Sequence, residues 1–178
     1  MSAITKIDLW QVLDSRGMPT VAARVSLGDK SAKAIAPSGA STGAHEALFL
    51  RDNKESYAGN SVSDAISLFT KEVLPNLIGI NGDNFSELDK NLRKYDPSRT
   101  FSKYGGHIPV AITLAAWLAT ANKNNADTNA RNDALNKENA SANNTNTTTN
   151  TENRKINEEN RQLNSNNERA NNDNFKAN

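Results

Sequence analysis

The chain has 178 residues, with 21 Lys and Arg against 20 Asp and Glu, a net charge of +1, and no cysteine. The balance holds in each part, 13 basic to 12 acidic residues through Thr120 and eight to eight afterwards. No basic stripe therefore exists to displace counterions from a nucleic acid or to hold an anionic membrane. The missing cysteines exclude disulfide staples, thiolate metal sites and a cysteine nucleophile, and fit a reducing compartment.

The start, Met1-Ser2-Ala3-Ile4-Thr5-Lys6, lacks the apolar run of a secretory signal, and the longest apolar stretch, Ile108 to Ala119, is too short to span a bilayer. A cytoplasmic protein with no nucleic-acid or membrane partner is expected.

Ile4 to Val12 reads as a first strand, closed by the polar loop Asp14-Ser15-Arg16-Gly17. Val21, Ala23, Val25 and Leu27 alternate with Ala22, Arg24 and Ser26, the period of two of a half-buried strand. Gly28-Asp29-Lys30 then supplies a tight turn, and Ser31 to Ala36 is the returning strand. The expected fold class is α+β: a small antiparallel three-stranded sheet followed by helices.

Past the loop Pro37 to Gly43 the period changes. Val62, Ala65, Ile66, Phe69 and Val73 form the stripe of an amphipathic helix, with Ser61 and Asp64 as its expected capping box and Pro75 as its stop. Phe85, Leu88, Leu92 and Tyr95 repeat the spacing behind Asn84, and Asp96-Pro97 ends that element. From Pro109 to Ala121 the sequence is apolar on every side, so Trp117 and Leu118 call for a partner surface. Packing within the domain is the plainer explanation of that apolarity.

From Ala121 to Asn178 the chain holds 21 asparagines in 58 residues, and its large apolar side chains are Leu135, Ile156, Leu163 and Phe175. These cannot offset an ordering cost of roughly 1–2 kcal/mol per backbone residue. Residues 121–178 are expected to be a low-complexity tail, disordered or ordered only against something else and repetitive only in composition, behind a folded domain of residues 1–120.

Two blocks carry a family resemblance. The first is Leu13-Asp14-Ser15-Arg16-Gly17-Met18-Pro19-Thr20-Val21; the second is Ala36-Pro37-Ser38-Gly39-Ala40-Ser41-Thr42-Gly43-Ala44-His45-Glu46-Ala47, with Leu50-Arg51-Asp52 shortly after. In content, and in their distance from each other and from Met1, they resemble the amino-terminal domain of enolase, a lyase of glycolysis. The barrel that carries that family's chemistry has no counterpart here, so no TIM barrel is expected.

The resemblance implies that Ser38, Gly39, Ala40, Ser41, Thr42 and Gly43 form a substrate lid, and that Ser41 gives backbone and hydroxyl oxygens to the second, catalytic Mg²⁺. The glycines permit the backbone angles of a moving loop, and hydroxyl oxygens suit a hard cation. One serine is a weak metal site, so Mg²⁺ is expected only on completion by a barrel domain. Without the barrel, Pro37 to Gly43 is more simply a surface connection.

Arg16 resembles the family's intersubunit ion-pair residue, whose partner lies on a neighbouring barrel; in a lone chain a solvated arginine is expected. Met18 stands where enolases usually have asparagine, Ala22 where an acidic residue supports the dimer contact, and His107 and Pro109 where a glycine-rich turn is followed by asparagine and alanine. His45 and His107 read as surface or capping histidines. With the acid, base and carboxylate ligands all on the family's barrel, no catalytic residue is assigned.

Three readings follow. The first is a non-catalytic enolase-like pseudoenzyme acting as an interaction module with a protein partner. The second is a fragment or split partner that lends its lid to dehydration of 2-phosphoglycerate to phosphoenolpyruvate. The third is a truncated product without selected function.

Overall fold

A computed structural model describes residues 2–38, 43 and 46–177. Three strands, β1 (Ile4–Leu13), β2 (Pro19–Leu27) and β3 (Lys30–Ile35), precede α1 (Ser63–Glu72), α2 (Phe85–Tyr95) and α3 (His107–Ala177). A short turn with left-handed Tyr57 and Ala58 lies at Ser56–Gly59, and a 3-10 turn at Leu74–Asn76. The chain divides into two units, Met1–Asp127 and Thr128–Asn178.

The sheet is antiparallel with β2 in the centre, and its register sets Ile7 beside Val25 and Leu9 beside Ala23. Because side chains alternate across a pleated sheet, Ile7, Val21, Ala23 and Val25 all reach one face, where they are buried. Helices cover that face. Along α1, Val62, Ala65, Phe69 and Val73 are buried as their spacing predicts, and α2 adds Leu88 and Leu92. The first turns of α3 supply Ile108, Ala111, Ile112, Ala115 and Ala119 to the same core. Burying each of the larger of these side chains is worth about 2–3 kcal/mol.

Asn84 caps α2 as expected, its side-chain oxygen accepting the Glu87 N–H at 3.1 Å. Asp96, where α2 stops, is buried and organises the next loop by accepting the Lys103 N–H at 2.8 Å and the Ser98 hydroxyl at 2.5 Å. Burial alone would raise its pKa, but these hydrogen bonds outweigh it and hold the carboxyl below its ordinary value.

The capping box expected at α1 is replaced. Val62 occupies the cap position without a side-chain cap bond. Two of the exposed N–H groups are met from elsewhere, Gln11 of β1 accepting the Val62 N–H at 2.8 Å and Asp52 the Asp64 N–H at 3.1 Å, while the Ser61 hydroxyl oxygen accepts the Ser63 N–H at 3.2 Å. Ser61 also donates its hydroxyl to Asp52 at 2.6 Å. A helix end needs oxygen acceptors from any source, and here tertiary neighbours outcompete the local sequence.

Residues 128–177 are helical in the structure, where composition leads one to expect disorder, and every side chain described from Thr128 to Ala170 is exposed. Local bonds are what this unit shows: Thr145, Thr147, Thr148 and Thr151 return their hydroxyls to the carbonyl four residues earlier, at 2.9–3.2 Å. No helix among the described residues is long and apolar enough to cross a membrane.

Candidate functional site

The turn after β1 and the stem of the Pro37–Gly43 loop meet at one carboxylate. Asp14 Oδ1 accepts the backbone N–H groups of Arg16 and Met18, each at 2.9 Å, which folds the Asp14–Gly17 turn around it. Its other oxygen accepts the Ser38 hydroxyl. The Arg16 guanidinium donates to the Ser38 carbonyl and hydroxyl oxygens, both at 2.8 Å, and lies 3.3 Å from Asp14 Oδ2. Led by the Ser38 hydroxyl, these donors hold the Asp14 carboxyl well below the usual carboxylate range.

Arg16 is therefore engaged within its own chain, not merely solvated as expected for a lone chain. The enabling acceptor is Ser38, 22 positions along the sequence, brought near because the β1–β2 turn and the segment leaving β3 lie at the same end of the sheet. The far end of the loop is tied as well, since the Gly43 N–H donates to Glu46 at 3.0 Å. Of the six residues assigned to the lid, Ser38 and Gly43 thus form its two stems. Gly39, Ala40, Ser41 and Thr42 lie outside the described residues, as does His45.

Among the described residues no group of three or more His, Asp or Glu side chains stands close enough together to hold a metal ion. The described part of the site accordingly offers no carboxylate cage of the kind Mg²⁺ prefers. The expected Ser41 ligand lies outside it.

Next to this stem is a stack in which His107 is buried and Phe49 and Arg51 are half-buried. The Arg51 guanidinium carbon sits 4.2 Å from the centre of the Phe49 ring, and the His107 ring lies 4.3 Å from the same centre at 16° to it. Two groups so close to one centroid must occupy opposite faces of the ring. Arg51 also donates to the carbonyls of Pro19 at 2.5 Å and Asn60 at 2.7 Å, tying β2 to the residue that follows the Ser56–Gly59 turn. Burial lowers its pKa.

His107 is not the surface or capping histidine expected. It is buried, neither ring nitrogen has a hydrogen-bond partner, and burial, helped by the Arg51 charge, pushes its pKa down to about 4. The imidazole is consequently neutral near pH 7. A cavity of about 200 Å³ lies alongside, lined by Pro37, Glu46, Leu48, Phe49, His107 and Val110.

Reading residues by type missed Asp14, Glu46, Asp52 and Gln11, which do most of the tying. Only Asp14 carried a local signal, since an Asp two residues before an Arg-Gly pair is a common start for a side-chain-closed turn.

On α3, Val110, Leu114, Trp117 and Leu118 follow helical spacing on the side away from the core. Trp117 is 61% exposed, Leu118 49% and Val110 43%. Phe85 meets the Trp117 ring edge-on at 6.4 Å but leaves most of it open. The partner surface that this apolar segment calls for is thus only half supplied by the domain's own core.

The family model for "Enolase, N-terminal domain" matches residues 4–129. Similar curated proteins include the enolases of Campylobacter jejuni subsp. doylei, 40% identical over 122 residues, Campylobacter lari, 41% over 123, and Ehrlichia canis, 42% over 124. Each alignment covers 68% of this chain and 30% of the relative, so the chain spans about a third of the length of these proteins. The three-stranded antiparallel sheet, the helices that cover it and these matches agree, and the chain belongs to the enolase family through its N-terminal domain.

Proposed function

We propose that this chain is a non-catalytic enolase-like domain that acts by binding another protein. The observation that carries the reading is the apolar strip Val110, Leu114, Trp117 and Leu118 on α3, with Trp117 61% exposed. A tryptophan so placed, beside further apolar side chains, is the composition of an interface anchor. By the family resemblance, the acid, base and carboxylate ligands of the dehydration belong to a barrel, so no residue of this N-terminal domain is assigned a catalytic role.

A second reading, a split partner lending its lid to Mg²⁺-dependent dehydration of 2-phosphoglycerate, draws on one specific observation. Asp14, Arg16 and Ser38 hold the stem of a loop whose letters match the family's lid. One titration separates the two. A barrel-bearing enolase chain is added to the purified protein while binding and phosphoenolpyruvate formation are both followed. The module reading expects binding that weakens about tenfold or more when Trp117→Ala is combined with Leu118→Ser, with no gain in turnover. Turnover that rises on mixing and is lost in Ser41→Ala would replace it by the split partner. No binding at all would refute both for this kind of partner.

A further inference from the structure

Set on a helix, the tail shows a period that its composition hides. Every seventh residue from Asn122 to Asn178 is asparagine, and so is every seventh from Asn125 to Asn174, together 17 of the 21 asparagines after Thr120. Every seventh residue from Ala121 to Ala177 is Ala, Thr, or one of Leu135, Ile156 and Leu163. None of the tail's 16 charged residues falls on these three positions. The expectation of a tail repetitive only in composition is therefore corrected: it carries a strict heptad register.

At about 100° per residue the three positions share an arc of about 100°, with the second asparagine of each repeat near its middle. The arc is uncharged, and it is exposed along the described length, with Leu135 at 50%, Ile156 at 53% and Leu163 at 58%. A lone helix gives no reason for such a stripe. At 3.6 residues per turn, a seven-residue repeat drifts about 20° per heptad, so over eight repeats the stripe would wander almost halfway round the helix. It keeps facing one way only when the helix winds left-handedly about a partner. Asparagine is also a poor helix former, so the repeat weakens an isolated helix.

We propose that the stripe is a self-association surface, joining two copies of this chain as a parallel, in-register coiled coil. The occupant follows from the chemistry of the stripe. The asparagine amide is donor and acceptor at once and pairs with its own kind, and a second copy presents asparagines at the same three-and-four spacing over the whole length. Repeated asparagines match after any slip of seven residues and cost stability, so the register must come from the few apolar residues among them. Direction follows from the apolar residues. Parallel in-register pairing sets Leu135, Ile156 and Leu163 each against its equal, whereas the antiparallel pairing that matches Leu135 with Leu163 leaves Ile156 facing Ala142. The coiled coil draws only on residues 121–178 and not on the strip Val110–Leu118, so it stands whether or not that strip binds a partner.

The chain has no cysteine, so single-cysteine variants report one position each. Under mild oxidation, Asn132→Cys and Asn160→Cys should each give disulfide-linked dimers, and Gln162→Cys, on the opposite face, should not. In sedimentation equilibrium the full chain should be a dimer, and Asn146→Lys with Asn160→Lys should weaken it at least about tenfold by facing like charges across the seam. Trp117→Ala should leave the dimer intact. Monomers up to about 100 µM, linkage at only one of the two stripe cysteines, linkage equally strong at Gln162→Cys, or a dimer indifferent to the lysines would each overturn the proposal.

Discussion

The His107 imidazole lies flat on the Phe49 ring, 4.3 Å away, with both nitrogens buried and unpaired. Burial depresses its pKa from 6.5 to about 4. Between those values the unfolded chain binds a proton that the folded chain refuses, so stability falls as pH drops from about 6.5 towards 4 and levels off below. The full difference, 6.5 minus about 4, corresponds to about 3 kcal/mol as an upper figure. Asp14, held charged well below the carboxylate range, adds a slope of the same sign only as pH approaches its ordinary value of 3.8, so it contributes little between pH 7 and pH 5. Urea midpoints measured from pH 7 to pH 5 should therefore decline in the natural protein and stay nearer to constant in His107→Phe, which also removes two unpaired polar atoms.

Gly105 leaves the room this histidine needs. Its φ is +82°, and a Cβ there would stand 2.3 Å from His107 Cε1. Gly17 has a similar φ of +75° but open space around it. Gly17→Ala should cost about 1 kcal/mol, the backbone term alone. Gly105→Ala should cost roughly 2–4 kcal/mol because the stack must shift too. Equal losses in denaturant melts would show that the ring yields freely.

Asp52 closes the start of α1 from outside the helix, meeting the Asp64 N–H at 3.1 Å while taking the Ser61 hydroxyl. Asp52→Ala should destabilise by about 1–2 kcal/mol, the ordinary worth of an N-cap acceptor. Asp64→Ala should cost a few tenths of a kcal/mol, up to about 1, for the loss of a first-turn charge. The reverse order in thermal melts would restore the local capping box.

At the loop stem, Asp14→Ala removes the acceptor shared by the Arg16 and Met18 N–H groups and the Ser38 hydroxyl. Amide exchange should quicken at Arg16 and Met18, with little change in α2. Unaltered exchange would mean that the turn holds without help from the carboxylate.

Much of the fold was legible as written. Alternation along Val21 to Leu27, the helical stripe Val62 to Val73 and the Asn84 cap all depend on short-range periodicity and local hydrogen bonding, which a sequence displays directly. The two enolase-like blocks were legible for the same reason, being contiguous. What tertiary structure decided are the pairings across distance. Arg16 with Ser38, Gln11 with the start of α1, and Phe49 with His107 join residues 22 to 58 positions apart, and no local pattern specifies them. His107 shows the difference most clearly. A histidine beginning a helix reads as polar and exposed, and only the packing of α3 on the core, with the segment Leu48–Leu50 over it, turns it into a buried neutral ring. The tail reverses the relation: its heptads were written in the sequence throughout, but became a surface only once a helix had brought residues seven apart onto one side.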